Sequence, residues 1–176
     1  MDGYALELAL ALTCDSRHPD ISDADDIYAP LLGTWAVDTR DFFEDGHEIR
    51  GSGEWIFSRV LEGRGVQDVW IAPGRSERDH APKHPRDRYG TSIRTFDPVS
   101  RRWQVTWLNP VSGAFDVLLA RVENGMIIQE GSNLDGRTIC WTFEEISDDR
   151  FHWTGKGLAD GGEWRTYSEF LGSRAR

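Results

Sequence analysis

From Gly33 to Arg174 the chain repeats one pattern: about five to ten residues rich in Val, Ile, Thr, Phe and Trp, then a short polar break. Runs of that composition between turn residues read as β-strands. The pattern predicts strands over 33–42, 54–61, 65–71, 90–96, 103–109, 114–123, 126–132, 138–147, 150–157 and 164–171. The breaks carry turn chemistry: Glu62-Gly63, Asp97-Pro98, Asn109-Pro110 with Gly113, Asn124-Gly125, Asp135-Gly136, Asp148-Asp149 and Asp160-Gly161-Gly162. Asn-Gly and Asp-Gly favour the positive φ of hairpin turns, which makes consecutive strands antiparallel neighbours. About ten strands in meander order need a closed barrel or two sheets, and closure removes exposed edges. The expected fold is all-β: one antiparallel up-and-down barrel of about 8–10 strands with a short N-terminal helical appendage.

Two segments stand outside the meander. Residues 1–26 read as an acidic appendage to a barrel domain over 27–176. Tyr4 to Leu12 alternates Leu with Ala or Glu, a strand periodicity, yet Ala, Leu and Glu are the best helix formers, and the reading adopted is a short helix. Ser22 or Asp23 can cap a short turn through Tyr28 to Leu32. The second segment, Ala72 to Arg88, is too long and polar for a hairpin; loops of this kind are functional lids or mobile segments.

At 176 residues the chain can bury about two-thirds of its unfolded surface without a disulfide or metal staple. Cys14 and Cys140 fit neither a metal motif nor a disulfide framework, which points to a reducing cytoplasm. The first residues carry Asp2 and Glu7 and no basic stretch, so no export signal is read there, and no run approaches the roughly 18 apolar residues of a membrane span. The net charge of −10 is uneven: residues 1–48 hold twelve acids against Arg17 and Arg40, and the remainder is balanced. Such a surface repels phosphate backbones and disfavours nucleic acid as a partner.

Gly33-Thr34-Trp35, just after a short helical turn, resembles the G-x-W opening of lipocalins and fatty-acid-binding proteins. The resemblance implies that Trp35 plugs the barrel base and that a late Arg stacks on it, Arg174 being best placed, ahead of Arg165 and Arg176. A longer ordered string, GEWIF, VLEGRGVQDVWI, YGTSIRTFDP, WQVTWLNPVSG, QEG, WTFEEI, FHWTG and DGGEW, resembles an uncharacterised bacterial family of small calycin-like barrels. That family implies a fold and a ligand cavity but no reaction.

Eight tryptophans, at 35, 55, 70, 103, 107, 141, 153 and 164, all fall in predicted strands. They either fill the barrel or line a cavity with aromatic faces suited to flat ligands. Asp68, Glu130 and His152 are polar interruptions that could act as acid or base, with Glu54 a further acid beside Trp55. An Asp68–Arg94 pair would be a permanent anchor, whereas an acid isolated among Trp faces would have its pKa raised. The alternative for each polar residue is an outward position in solvent. Trp55, Trp70, Arg94, Trp107, Asn109, Trp141 and Trp153 are the ligand-binding candidates. His152 could also ligate haem or a metal; His80 and His84 are four apart, but Pro82 and Pro85 rule out the helix that would align them. No nucleophile elbow, P-loop or dinucleotide fingerprint is present, and Gly63-Arg64-Gly65 is a hairpin.

Three functions fit. The first is a barrel that carries or sequesters one small, largely apolar or aromatic molecule, with no cofactor, metal or membrane partner. The second is a cofactor-free acid/base enzyme, a cyclase, isomerase or dehydratase, using the same cavity. The third is a haem barrel. Residues 72–102 hold eight basic residues against four acids. A basic rim over an aromatic cavity favours a ligand with an anionic end. The competing use of these charges is pairing with Asp20 to Asp26, within the chain or across a homodimer.

Overall fold

In the computed structural model, which describes residues 3–175, the meander closes on itself. The strands are β1 (Gly33–Phe42), β2 (Glu48–Val60), β3 (Gly65–Ala72), β4 (Arg88–Asp97), β5 (Arg102–Asn109), β6 (Ala114–Glu123), β7 (Met126–Asn133), β8 (Thr138–Glu144), β9 (Arg150–Leu158) and β10 (Trp164–Arg174). Each pairs antiparallel with the next, and β1 pairs with β10 to complete the ring. The turn at Asn124-Gly125 has positive φ at both residues, 52° and 78°, the conformation that lets a two-residue connection follow the twist of β6 and β7.

Alternation along the strands decides what fills the ring. In β1 the inward residues are Trp35, Val37, Thr39 and Asp41; in β5 they are Trp103, Val105, Trp107 and Asn109. Seven of the eight tryptophans are buried inside the ring, and only Trp164, 43% exposed, is outside. Each buried indole removes about 150–250 Å² from water, roughly 4–6 kcal/mol of transfer free energy before ordering costs. The rings fit because small residues face them. A side chain at Gly90 would sit 2.5 Å from the Trp107 ring, and one at Gly155 would meet Trp153 at 2.7 Å and Tyr167 at 2.9 Å.

The two ends of the barrel differ. The lower end, where β1 begins, is plugged. A 3-10 turn at Ala29–Leu31 leads into β1, and the Trp35 indole donates to the Leu31 carbonyl at 2.7 Å. The Arg174 guanidinium lies 3.8 Å from the Trp35 ring centroid and donates to the carbonyls of Leu32, Pro30 and Asp148, the stacking partner that the G-x-W resemblance implies. The N-terminal segment divides at Thr13. Helix α1 (Gly3–Leu12) buries no residue, whereas Ile21 is only 1% exposed and Asp26 holds Arg59 through two bonds of 3.0 and 2.7 Å. Part of the acidic segment thus pairs with basic residues of its own chain, Asp25 with Arg101 at 2.6 Å among them. Among the described residues no helix is long and apolar enough to cross a membrane. Both cysteines are free.

Candidate functional site

The upper end is open. Here the connection between β3 and β4, residues 73–87, folds over the rim and is tied down by Glu54–Arg75 at 2.6 Å, by Glu77 to Ser52 at 2.8 Å and by Arg78 to the Arg88 carbonyl at 3.0 Å. Beneath its last residues a cavity of about 550 Å³ enters the barrel, within the usual range for small-molecule sites. A second hollow, about 450 Å³, lies between the loop and the tops of β1 and β2 and shares Arg86, Asp87 and Arg88 with the first.

Trp70, Trp107, Trp141 and Trp153 line the barrel cavity. They are one edge of a continuous aromatic stack: Trp55 lies 4.7 Å from Trp70, and Trp153 lies 4.8 Å from Phe170. The Nε1–H groups of Trp70 and Trp153 are buried without an acceptor among the described residues, so the apolar wall retains two donors. Arg88 closes one side. It is held by Asp41 at 2.5 and 3.0 Å and by Ser168 at 3.0 Å, and its guanidinium covers Trp70 at 4.7 Å and Phe170 at 5.1 Å. Asn109 braces the rim, donating to the Asp87 carbonyl at 3.2 Å and to Ser112 at 2.9 Å.

The remaining rim cations are not neutralised in this way. Arg86 lies over the rings of Phe43 and Tyr167, at 5.3 and 5.7 Å, and makes no ion pair with a described residue. Arg137 also lines the opening with no described carboxylate against it. The deeper arginines, by contrast, each have an acid: Arg59 has Asp26, Arg88 has Asp41, and Arg94 has Asp68.

Two wall residues escape the sequence reading. Asp116 of β6 faces the interior between Trp107 on β5 and Asn133 on β7 and is 8% exposed. No described side chain pairs with it, and burial pushes its carboxyl up to about 6. Tyr167 of β10 sits where the register shifts between Thr166 and Ser168, a bulge that turns its ring inward. Its hydroxyl oxygen accepts the Trp141 Nε1–H at 2.5 Å, and burial raises its pKa.

The sequence candidates separate into three groups. Trp70, Trp107, Asn109, Trp141 and Trp153 converge on the cavity. Trp55 and Arg94 lie deeper: Trp55 is in the stack, and Arg94 is clamped to Asp68 at 2.6 Å over the rings of Tyr28 and Phe57. Asp68 also accepts the Ser92 backbone N–H at 2.9 Å, so both charges are spent on each other in the filled part of the barrel. Glu130 and His152 are on the outer surface, Glu130 with Arg121 at 2.5 Å, and His152 between Glu144 at 3.0 Å and Glu169 at 2.8 Å. No histidine lines the barrel cavity, so an axial haem ligand from His152 has no geometry here. No group of three or more His, Cys, Asp or Glu side chains among the described residues is arranged to hold a metal ion.

No family model and no curated protein matches this sequence. Solved structures do match the fold. Rv2717c from M. tuberculosis superposes with a TM-score of 0.65 at 16% identity, over 92% of this chain and 100% of that one. The S-type phycobiliprotein lyase CPES from Guillardia theta gives 0.60 at 8% identity, over 89% and 95% of the two chains. At these identities the likeness is one of architecture, and together with the closed ring of ten strands it makes this chain a calycin-like barrel by fold.

Proposed function

We propose that the protein binds one small, flat, largely apolar molecule with an anionic end in the open half of its barrel. The observation that carries this is the wall itself: four indoles around about 550 Å³, with Arg86 at the mouth and no ion-pair partner for it among the described residues. An apolar body is favoured by aromatic burial, and the anion by a cation whose charge the protein leaves uncompensated. One structural neighbour is a phycobiliprotein lyase, in keeping with a barrel that handles a small organic group.

The test is a fluorescence titration with two probes of one shape, 1-anilinonaphthalene-8-sulfonate and the uncharged N-phenyl-1-naphthylamine. Both should bind at one equivalent and quench tryptophan emission. Arg86→Ala should weaken the sulfonate about 5-fold, the value of roughly 1 kcal/mol for a charge pair at a solvated rim, and leave the neutral probe unchanged. Equal loss for both probes would remove the anionic end from the reading, and no saturable binding of either would remove the binding function.

A further inference from the structure

Besides the two unpartnered indole N–H groups, the cavity holds two oxygen groups whose remaining hydrogen-bonding capacity no described residue takes up, and they have opposite chemistry. Asp116 is an acceptor without a donor among the described residues, more than nine-tenths buried between Trp107 and Asn133. Tyr167 already accepts from Trp141, so what its hydroxyl has left is its own hydrogen. A donor whose oxygen is itself hydrogen-bonded is polarised toward giving that hydrogen. Tyr167 and Asp116 line the same cavity, and on the other side of Tyr167 the Arg86 guanidinium lies 5.7 Å from its ring centroid.

We infer that Asp116 is a general base, that Tyr167 is the hydrogen-bond donor to the developing oxyanion, and that the cavity enolises a 2-oxo acid with a flat apolar body. This inference rests on the ligand-binding reading above and adds a reaction to it. The ligand carboxylate is held at Arg86, its body lies on the indoles, and its carbonyl oxygen meets Tyr167. Asp116 then takes the proton from the carbon next to the carbonyl. The C–H pair becomes the new C=C bond, the carbonyl π pair moves to oxygen, and that charge is met by the Tyr167 O–H. Return of the proton from Asp116 to carbon, or to oxygen, completes an isomerisation with no change of oxidation state and no other reactant. A base needs to be ionised yet poorly solvated, which is the state that an uncompensated carboxylate beside Trp107 provides. The other charged groups on the same cavity are Arg86, Asp87, Arg88 and Arg137. From β5, β7 and β8 the polar or aromatic neighbours are Asn109, Asn133 and Trp141, all uncharged.

The experiment uses phenylpyruvate and indole-3-pyruvate as probes. Exchange of their C3 hydrogens is followed by proton NMR in deuterated buffer, and binding is read on the same samples by tryptophan quenching. The wild-type protein should accelerate exchange above the buffer rate, rising as pH increases through about 6 and then levelling. Asp116→Asn should bind the probes within a few-fold of wild type and lose about 10²–10⁴-fold of the accelerated exchange. Tyr167→Phe should lose about 10²-fold with its pH midpoint unchanged. Binding without accelerated exchange would overturn the enolising activity and leave the binding reading standing. Exchange that is undiminished in Asp116→Asn, or a wild-type profile flat across pH 5–8, would take the base role from Asp116. Failure of both probes to bind while 1-anilinonaphthalene-8-sulfonate still binds would overturn the 2-oxo acid assignment alone, and failure of all three would overturn both readings.

Discussion

Replacing Asp116 with Asn should make the protein more stable at neutral pH, and the size of the gain follows from where the carboxyl sits. Burial raises it from 3.8 to about 6, with no partner to offset the loss of hydration. Between those values the folded chain holds a proton that the unfolded chain has released. Stability from this group is therefore full below about pH 4 and is lost as pH rises through 6. Two pH units correspond to about 3 kcal/mol, but one edge of the carboxyl opens on the cavity and is screened there, which brings the expectation to about 1–2 kcal/mol. An amide of the same shape has no charge to desolvate. Many other acids of the chain titrate in the same window, so the quantity to measure is the difference between the two proteins. Urea unfolding of both at pH 4.5 and pH 7.5 should show Asp116→Asn near wild type at the lower pH and about 1–2 kcal/mol more stable at the higher, with equal m-values. A difference that is the same at both pH values, or that favours wild type at pH 7.5, would mean that Asp116 is well solvated or paired in solution. The reasoning from an isolated buried acid would then fail.

Trp35→Ala removes the fully buried plug of the lower end, and with it the surface on which Arg174 stacks; it should cost about 3–5 kcal/mol in the same urea titration. A loss below about 1 kcal/mol would show that the base is closed by the N-terminal segment alone. Arg88→Ala leaves Asp41 buried without its partner and uncovers Trp70, so about 3–5 kcal/mol should be lost, whereas Arg88→Met with Asp41→Leu should recover much of it.

The meander was readable because its turns are local chemistry. β1 and β6 have the bounds that composition predicts, and the remaining strands overlap theirs. β2 begins at Glu48 rather than at 54, and Gly51 and Gly53, residues of low strand propensity, lie inside it. Gly53 is a close approach, where a side chain would lie 2.3 Å from the Ile71 carbonyl. β8 stops at Glu144, short of 147, since Glu145 takes a positive φ. The site was harder to see. In β6 the outward residues Phe115, Val117 and Leu119 are 39–48% exposed, so apolar side chains occupy both faces and the period-two signal that would turn Asp116 inward is flat. Tyr167 lies at a bulge, where counting by twos fails by one residue. Glu130 and His152 looked like interior acids and bases because their partners, Arg121, Glu144 and Glu169, lie on other strands and meet them only after closure. The structure pairs Asp68 with Arg94 and leaves Asp116, which the sequence did not single out, a buried acid without a partner among the described residues.

The packed indoles also give the molecule an optical property. Trp107 lies 5.1 Å from Trp70, Trp70 lies 4.7 Å from Trp55 and 5.3 Å from Trp153, and Trp153 lies 5.8 Å from Trp141. Excitation absorbed by any one of them can migrate to the others before it is emitted, because the separations are about those of neighbouring molecules in a crystal. Five chromophores therefore behave as a single antenna with its outlet at the cavity wall. A molecule seated against Trp107 and Trp141 should drain light from Trp55, which it never touches, so its binding should quench more of the emission than those two rings contribute by themselves.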